Sequence, residues 1–275
     1  MSFLPADYHL HTHNSGDSEA PMKDMVESAI SKGLTEMCFT EHMDLDFPIT
    51  EQVPEGLFTL DIPPYEKDLF SYREEYKDRI AIKYGIELGL QPQILADNKA
   101  IIQNHGFDFV IGSVHLLDHK DPYYYSNYWS AQDEDSVIRR YFESTLENIK
   151  LFSDFDVLGH LDYIVRYTPS KGADYSYFKY KDIIDEILSL LIEMKKGLDL
   201  NTKALVSGNE NPNPGIDILK RYHELGGRII TFGSDAHVPD GVAGCFDKAK
   251  DIALKCGFDS YYTFTKRVPC ANTLN

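Results

Sequence analysis

Six of the ten histidines in this 275-residue chain close short, β-rich apolar runs. His9 and His11 end Tyr8-His9-Leu10-His11, His42 follows Cys38-Phe39-Thr40-Glu41, and His115 follows Val110-Ile111-Gly112-Ser113-Val114. His160 stands in Leu158-Gly159-His160-Leu161-Asp162, His237 ends Gly233-Ser234-Asp235-Ala236-His237, and Glu87 closes Ile82-Lys83-Tyr84-Gly85-Ile86. Ionisable groups are seldom buried without partners, so a chain that places one at the same end of strand after strand needs a reason. Divalent cations supply that reason, and the pattern is that of a polynuclear metal site. Side chains alternate along a strand, so His9 and His11 point the same way and form a chelating pair. Glu87 and Asp235 offer hard oxygens from other strand ends, to complete that site or bridge to a second ion that His115 and His160 complete. Asp17, His42 and His237 remain for a third ion, if the loop after the first strand folds back over the mouth of the barrel.

The elements that hold these groups alternate short β-rich runs with segments of helical period, the signature of βα units around a parallel core. Met22, Met25, Val26, Ala29 and Ile30 form a helical stripe that stops at Gly33. A strand is expected at residues 36–40, a helix at 65–79 and strands at 80–86 and 107–112. A long helix through Val137, Ile138, Tyr141, Phe142 and Ile149 feeds residues 156–159. The clearest helix carries Ile183, Ile184, Ile187, Leu188, Leu191 and Ile192 and precedes a strand at 198–201. Ile216, Leu219 and Leu225 lead to a strand at 228–233, and a last helix covers about residues 245–256. This makes seven strands, with Tyr261 to Lys266 left as an edge or tail. The Pro- and Tyr-rich segments 44–64 and 118–133 are long connections, expected at the C-terminal face beside the site.

Length and composition fit a single domain over residues 1–275. The net charge of -17 excludes a nucleic-acid backbone as the main partner and is partly neutralised by bound cations. Cys38, Cys245, Cys256 and Cys270 have neither CxxC spacing nor a disulfide pattern and read as reduced thiols. With no basic, apolar leader and no run of about 18 apolar residues, the expectation is a cytoplasmic protein with no membrane partner.

Taken in order, His9-Leu10-His11, Glu41-His42, Gly85-Ile86-Glu87, Gly112-Ser113-Val114-His115, Gly159-His160-Leu161-Asp162 and Gly233-Ser234-Asp235-Ala236-His237 resemble the motifs of the polymerase and histidinol phosphatase (PHP) family. The narrower resemblance is to its histidinol-phosphate phosphatase branch, over about residues 7–240. It implies a distorted seven-stranded (β/α) barrel, TIM-like, with the site at the C-terminal ends of the strands. It also implies two to three divalent ions, zinc, iron or manganese. His9, His11, Glu87 and Asp235 would hold the first, Glu87 would bridge to a second on His115 and His160, and Asp17, His42 and His237 would take the third. Asp17 stands where other members have histidine. The implied reaction is hydrolysis of L-histidinol phosphate to L-histidinol and phosphate, by in-line attack of a metal-bridging hydroxide on phosphorus. Arg166 resembles the family arginine that contacts the phosphoryl group, and Lys203 is a second cationic candidate where the family pattern has an arginine soon after Asn-Thr. Asp17 or His237, where not fully committed to metal, would protonate the leaving alkoxide.

Blander roles compete at several positions. Asp17 is also placed to cap the helix starting near Pro21, Asp162 to cap or to orient His160, and Arg166 to make a structural ion pair. Glu41 is equally balanced, and the helix dipole accounts for His105. His13, His119 and His223 read as solvent or loop residues. Tyr123, Tyr124, Tyr125, Tyr128 and Trp129 are either loop packing or an aromatic wall for an imidazole ring, with Tyr124 and Tyr128 the substrate-contact candidates. The competing functions are a phosphoesterase for another small phosphate ester or a nucleotide, and a metal-binding regulatory module without turnover. Oligomeric state is open.

Overall fold

The apolar runs that end in histidine become parallel strands. The computed structural model describes residues 4–125, 128–129 and 133–274. Part of the Met1–Asp7 start and five residues of the 118–133 connection lie outside the described residues. Strands β1 (Ala6–Leu10), β2 (Glu36–Met43), β3 (Ala81–Gly89), β4 (Phe109–Ser113), β5 (Val157–Leu158), β6 (Gly197–Asn201) and β7 (Ile230–Gly233) form one parallel sheet in chain order. Between them run helices α1 (Met22–Ser31), α2 (Ile62–Glu75), α3 (Leu95–Asn104), α4 (Glu134–Leu151), α5 (Lys181–Glu193), α6 (Lys203–Val206) and α7 (Ile216–Glu224), and α8 (Phe246–Lys255) follows β7.

The strands are buried nearly throughout, as parallel strands covered by helices must be. On the helices burial follows the apolar stripe: α5 buries Ile183, Ile184, Ile187, Leu188 and Leu191. Helix α4 begins where the Asp133 side chain accepts the Ser136 N–H at 3.0 Å. Helix α2 starts earlier than its periodicity indicates, because Pro63 and Pro64 sit in its first turn, where a missing N–H costs nothing.

The sheet nearly closes on itself. Beyond the end of β7, the Asp235 N–H donates to the His9 carbonyl at 2.8 Å and the His11 N–H to the Ala236 carbonyl at 3.0 Å. The result is an α/β fold with a nearly closed, barrel-like seven-stranded sheet inside a layer of helices.

Tyr261 to Lys266 is neither a lone edge nor a tail. β8 (Ser260–Thr265) pairs antiparallel with β9 (Val268–Thr273) around a two-residue turn, with Lys266 at φ 50° and Arg267 at φ 66°. The turn docks on residues that precede β4 and β5. The Lys266 N–H donates to Asp108 Oδ1 at 3.1 Å, and Arg267 Nε donates to Asp156 Oδ2. The Tyr8 hydroxyl accepts the Phe264 N–H at 2.8 Å. The hairpin thus packs against the N-terminal end of the barrel, opposite the histidines.

Candidate metal centre

Register brings the site together. His42 on β2 is paired directly with Glu87 on β3, so His42 Nδ1 lies 3.0 Å from Glu87 Oε2. His9 on β1 and His11, just past its end, point to the same side, with Nε2 atoms 3.3 and 3.6 Å from that oxygen. From the far side, His160 Nε2 and His115 Nε2 approach Glu87 Oε1 at 3.0 and 3.4 Å, and Ser113 Oγ donates to it at 2.7 Å. Glu87 is completely buried, and five histidines face its two oxygens. Glycine makes room: a Cβ on Gly159 would lie 2.2 Å from Ser113 Oγ, and one on Gly233 would lie 2.4 Å from the His9 Cβ.

After β7 the backbone turns at Asp235, which adopts φ 53°, a conformation aspartate tolerates better than most residues. Both Asp235 and His237 then face the cluster. Asp235 Oδ1 is 3.7 Å from His11 Nε2, and His237 Nε2 is 3.1 Å from Asp17 Oδ2, which is itself 3.6 Å from His42 Nε2. The loop after β1 therefore does fold back over the mouth. Asp17 does not cap α1, whose N-cap Pro21 receives no side-chain bond.

A ring of acceptors fixes the imidazoles from behind. His9 Nδ1 meets Asp199 Oδ2 at 2.8 Å, His115 Nδ1 meets Asp44 Oδ1 at 2.8 Å, and His11 Nδ1 meets Ser15 Oγ at 3.1 Å. Glu41 takes no place in the cluster; it accepts from the Thr12 N–H, Thr12 Oγ1 and Ser15 Oγ and so ties down the loop that carries His11. Sequence reasoning passes over Asp44, Asp199 and Ser15. The alternation in Leu198-Asp199-Leu200-Asn201 and the two-residue step from His42 to Asp44 are the signals that would find the first two.

The electrostatics follow from crowding. Burial works against a charged Glu87, but His9, His115 and His42 outweigh it and hold the carboxyl well below its usual range. Asp235 is held down in the same way by His9, Lys203 and Arg166. Burial and the neighbouring His42 and His237 rings push His11 down, which keeps its lone pair free.

The donor set suits divalent ions. Among the described residues, His9 Nε2, His11 Nε2, His42 Nδ1, His160 Nδ1, His237 Nε2 and Glu87 Oε2 are buried with no hydrogen-bond partner. Buried polar atoms are rarely left so, and a cation satisfies several at once. Ligand atoms come within 4.8 Å of one another in His9-His11-Glu87, Glu87-His115-His160, His11-His42-His237, His9-His160-Asp235 and His42-Asp44-His115. Mixed imidazole and carboxylate sets of this kind are suited to divalent metal ions.

Above the cluster opens a cavity of about 330 Å³ lined by Arg166, Lys203, Tyr124, His42, His115, His160 and His237, among others. Arg166 is held in place at every nitrogen: Nε donates to Asn213 Oδ1 at 2.7 Å, Nη2 to Asn201 Oδ1 at 2.8 Å and Nη1 to Asp235 Oδ2 at 3.2 Å. Asp162 stands at the N-cap of the short helix Tyr163–Tyr167, but its side chain makes no cap bond and, among the described residues, no hydrogen bond to His160. It accepts from Asn213 Nδ2 at 2.6 Å and from the Gly215 N–H at 2.8 Å, and so steadies the asparagine that holds Arg166. Lys203 Nζ donates to the Asp235 carbonyl at 2.7 Å and reaches His237 Nδ1 at 3.1 Å. Tyr124 is on the cavity wall, whereas Tyr128 is not among the lining residues; it is buried in the core beside Trp129. His105 has a named partner, Glu66 Oε1, at 2.9 Å from its Nδ1. No local pattern in the sequence marks Asn213, which reaches the site from a loop.

Comparison with known proteins agrees with this geometry. The PHP domain model matches residues 7–203. The histidinol-phosphatase of Lactococcus lactis is 33% identical over 94% of this chain and 94% of its own. The probable histidinol-phosphatase of Clostridium acetobutylicum is 34% identical over 95% and 97%. A crystal structure of the L. lactis histidinol phosphate phosphatase, complexed with zinc, L-histidinol and phosphate, superimposes with a TM-score of 0.86 at 32% identity, covering 97% of this chain and 98% of that one. The chain therefore belongs to the PHP domain family, in the branch of the histidinol-phosphatases.

Proposed function

We propose that this protein is a metal-dependent phosphomonoesterase that hydrolyses L-histidinol phosphate to L-histidinol and phosphate, a step of histidine biosynthesis. The observation that carries the reading is the set of buried imidazole and carboxylate atoms around Glu87 that have no hydrogen-bond partner among the described residues, beneath a cavity that presents Arg166 and Lys203. The L. lactis relative, whose structure holds zinc, L-histidinol and phosphate, supports the choice of substrate.

Two or three ions of zinc, iron or manganese fit the donors, with His9, His11, Glu87 and Asp235 for one, Glu87, His115 and His160 for a second, and Asp17, His42 and His237 for a third. Bound there, they would lower the pKa of water and neutralise phosphoryl charge. The chain's own residues do the rest. Arg166, its guanidinium fixed by Asn201 and Asn213, presents charge to the phosphoryl oxygens without having to reorganise. Lys203 adds a second positive charge beside Asp235 and His237. Asp17 Oδ2 and His237 Nε2 face each other at 3.1 Å, and whichever is not committed to a third ion would hand the departing alkoxide its proton. Phe58 and Tyr124 wall the cavity and limit water.

The same reading takes the sheet as a distorted (β/α)7 barrel in a single domain of residues 1–275. It also takes the protein as cytoplasmic, which the four unpaired cysteines support. None of the described helices is long and apolar enough to cross a membrane. The test is phosphate release by metal-reconstituted protein from a panel of L-histidinol phosphate, an aryl phosphate, sugar phosphates and nucleotides, with a chelated control. Selective, chelator-sensitive release from histidinol phosphate is expected; preference for another ester would overturn the substrate.

A further inference from the structure

Asp121 is a carboxylate in the cavity wall that the phosphatase chemistry leaves unused. It is only 2% exposed. The Tyr123 and Tyr124 N–H groups donate to its Oδ1 at 2.6 and 3.1 Å, which fixes the direction of the carboxylate. Among the described residues its Oδ2 has only the Tyr163 hydroxyl, at a long 3.4 Å. Among the described residues no Lys, Arg or His nitrogen forms an ion pair with it. The other acids of the cavity are committed: Asp44 to His115, Asp235 to Arg166, and Asp17 to His42 and His237. A buried anion without a cation is costly unless a ligand brings one.

Position says which ligand. The Tyr163 ring lies 5.0 Å from the His160 ring and 5.2 Å from the His115 ring, with the Arg166 guanidinium 5.6 Å from its centre. Asp121 sits at the hydroxyl end of that ring. The cavity is thus cationic where phosphate would bind and anionic one side chain away. An amino-alcohol phosphate has the matching polarity, since its ammonium group stands on the carbon next to the ester carbon.

We propose that Asp121 is the specificity-determining residue of this cavity and receives the ammonium group of the amino-alcohol phosphate through Oδ2. The inference rests on the substrate reading given above. Asp121→Asn keeps the oxygen that accepts the two backbone N–H groups and removes the charge; Asp121→Ser, which also keeps an acceptor, is the second neutral variant should the first fail to fold.

The experiment is calorimetric titration of the metal-reconstituted full chain with L-histidinol and with its desamino analogue, 3-(imidazol-4-yl)propan-1-ol. Inorganic phosphate binding is measured alongside. The unaltered protein should bind L-histidinol about 10–100-fold more tightly than the analogue, the range for a hydrogen-bonded charge. The neutral variant should lose that preference and keep its affinity for phosphate. A preference that survives in the variant, a preference absent from the unaltered protein, or an equal loss for both ligands and phosphate would each overturn the proposal. Histidinol binding needs no turnover, so failure to hydrolyse histidinol phosphate would count against the functional reading and not against Asp121.

Discussion

His9 Nδ1 lies 2.8 Å from Asp199 Oδ2 while its Nε2 faces Glu87, so a single carboxylate on β6 sets which nitrogen of a β1 histidine is left for metal. A ligand whose far nitrogen donates to a carboxylate is oriented and made more basic. Asp199→Ala should therefore weaken metal binding by about 10–100-fold while Glu87 and His11 remain in place. Competition against a calibrated chelator measures this, and unchanged affinity would remove Asp199 from the account.

Arg166 depends on Asn213 as His9 depends on Asp199. Asn213→Ala frees Nε of the guanidinium, and the lost bond to a charged group corresponds to about 1.5–3 kcal/mol. A fall of about tenfold or more in kcat/KM on histidinol phosphate is expected. In an Arg166→Ala background the same substitution should have little further effect, because the two act as one unit. Additive losses would show that Asn213 acts elsewhere.

Much of this arrangement is legible in the chain, and the reasons are local. Alternation along β1 puts His9 and His11 on one side, and the apolar runs before Glu87 and His115 mark the ends of β3 and β4. Asn213, Asp121 and Asp162 are different. They reach the site through loops, where no periodicity links sequence to direction, and the contacts that tie them to it, Asp121 to Tyr163, Asn213 to Arg166 and Asp162 to Asn213 and Gly215, span 42 to 53 residues of chain. The β8–β9 hairpin is half legible, because its turn uses Lys266 and Arg267 in place of the usual Asn-Gly and is held by Asp108 and Asp156, which precede β4 and β5 far away in the chain.

Protons should compete with metal at His115. In chelated protein, burial works against its charged form, but Asp44 and Glu87 outweigh burial and raise its pKa to about 10. An unfolded chain releases this proton near about pH 6.5, so the pair stabilises the chelated fold fully below that value. The contribution fades as pH rises toward about 10. Loading with metal displaces the proton, so affinity for metal should rise with pH over this window and binding should release protons. Calorimetry in buffers of different ionisation enthalpy reads the release; heats independent of buffer would contradict it.

Gly233 is where β7 passes β1 too closely for a side chain. A methyl group there would meet the His9 Cβ at 2.4 Å and Asp199 Oδ1 at 2.6 Å. Gly233→Ala should lower stability by roughly 1–3 kcal/mol through overpacking and reduce bound metal along with it. Thermal unfolding together with metal analysis checks both, and a stable variant with full metal content would show that β1 shifts freely.

The central claim is that the ions gathered around Glu87 carry the hydrolysis of histidinol phosphate. Phosphate release from L-histidinol phosphate, measured beside metal content for the reconstituted protein and for Glu87→Gln, tests it most directly. The account expects chelator-sensitive release from the unaltered protein. In the folded variant, most bound metal and nearly all release should be lost. A Glu87→Gln protein that turns over histidinol phosphate at the full rate, or release that survives complete removal of metal, would contradict it.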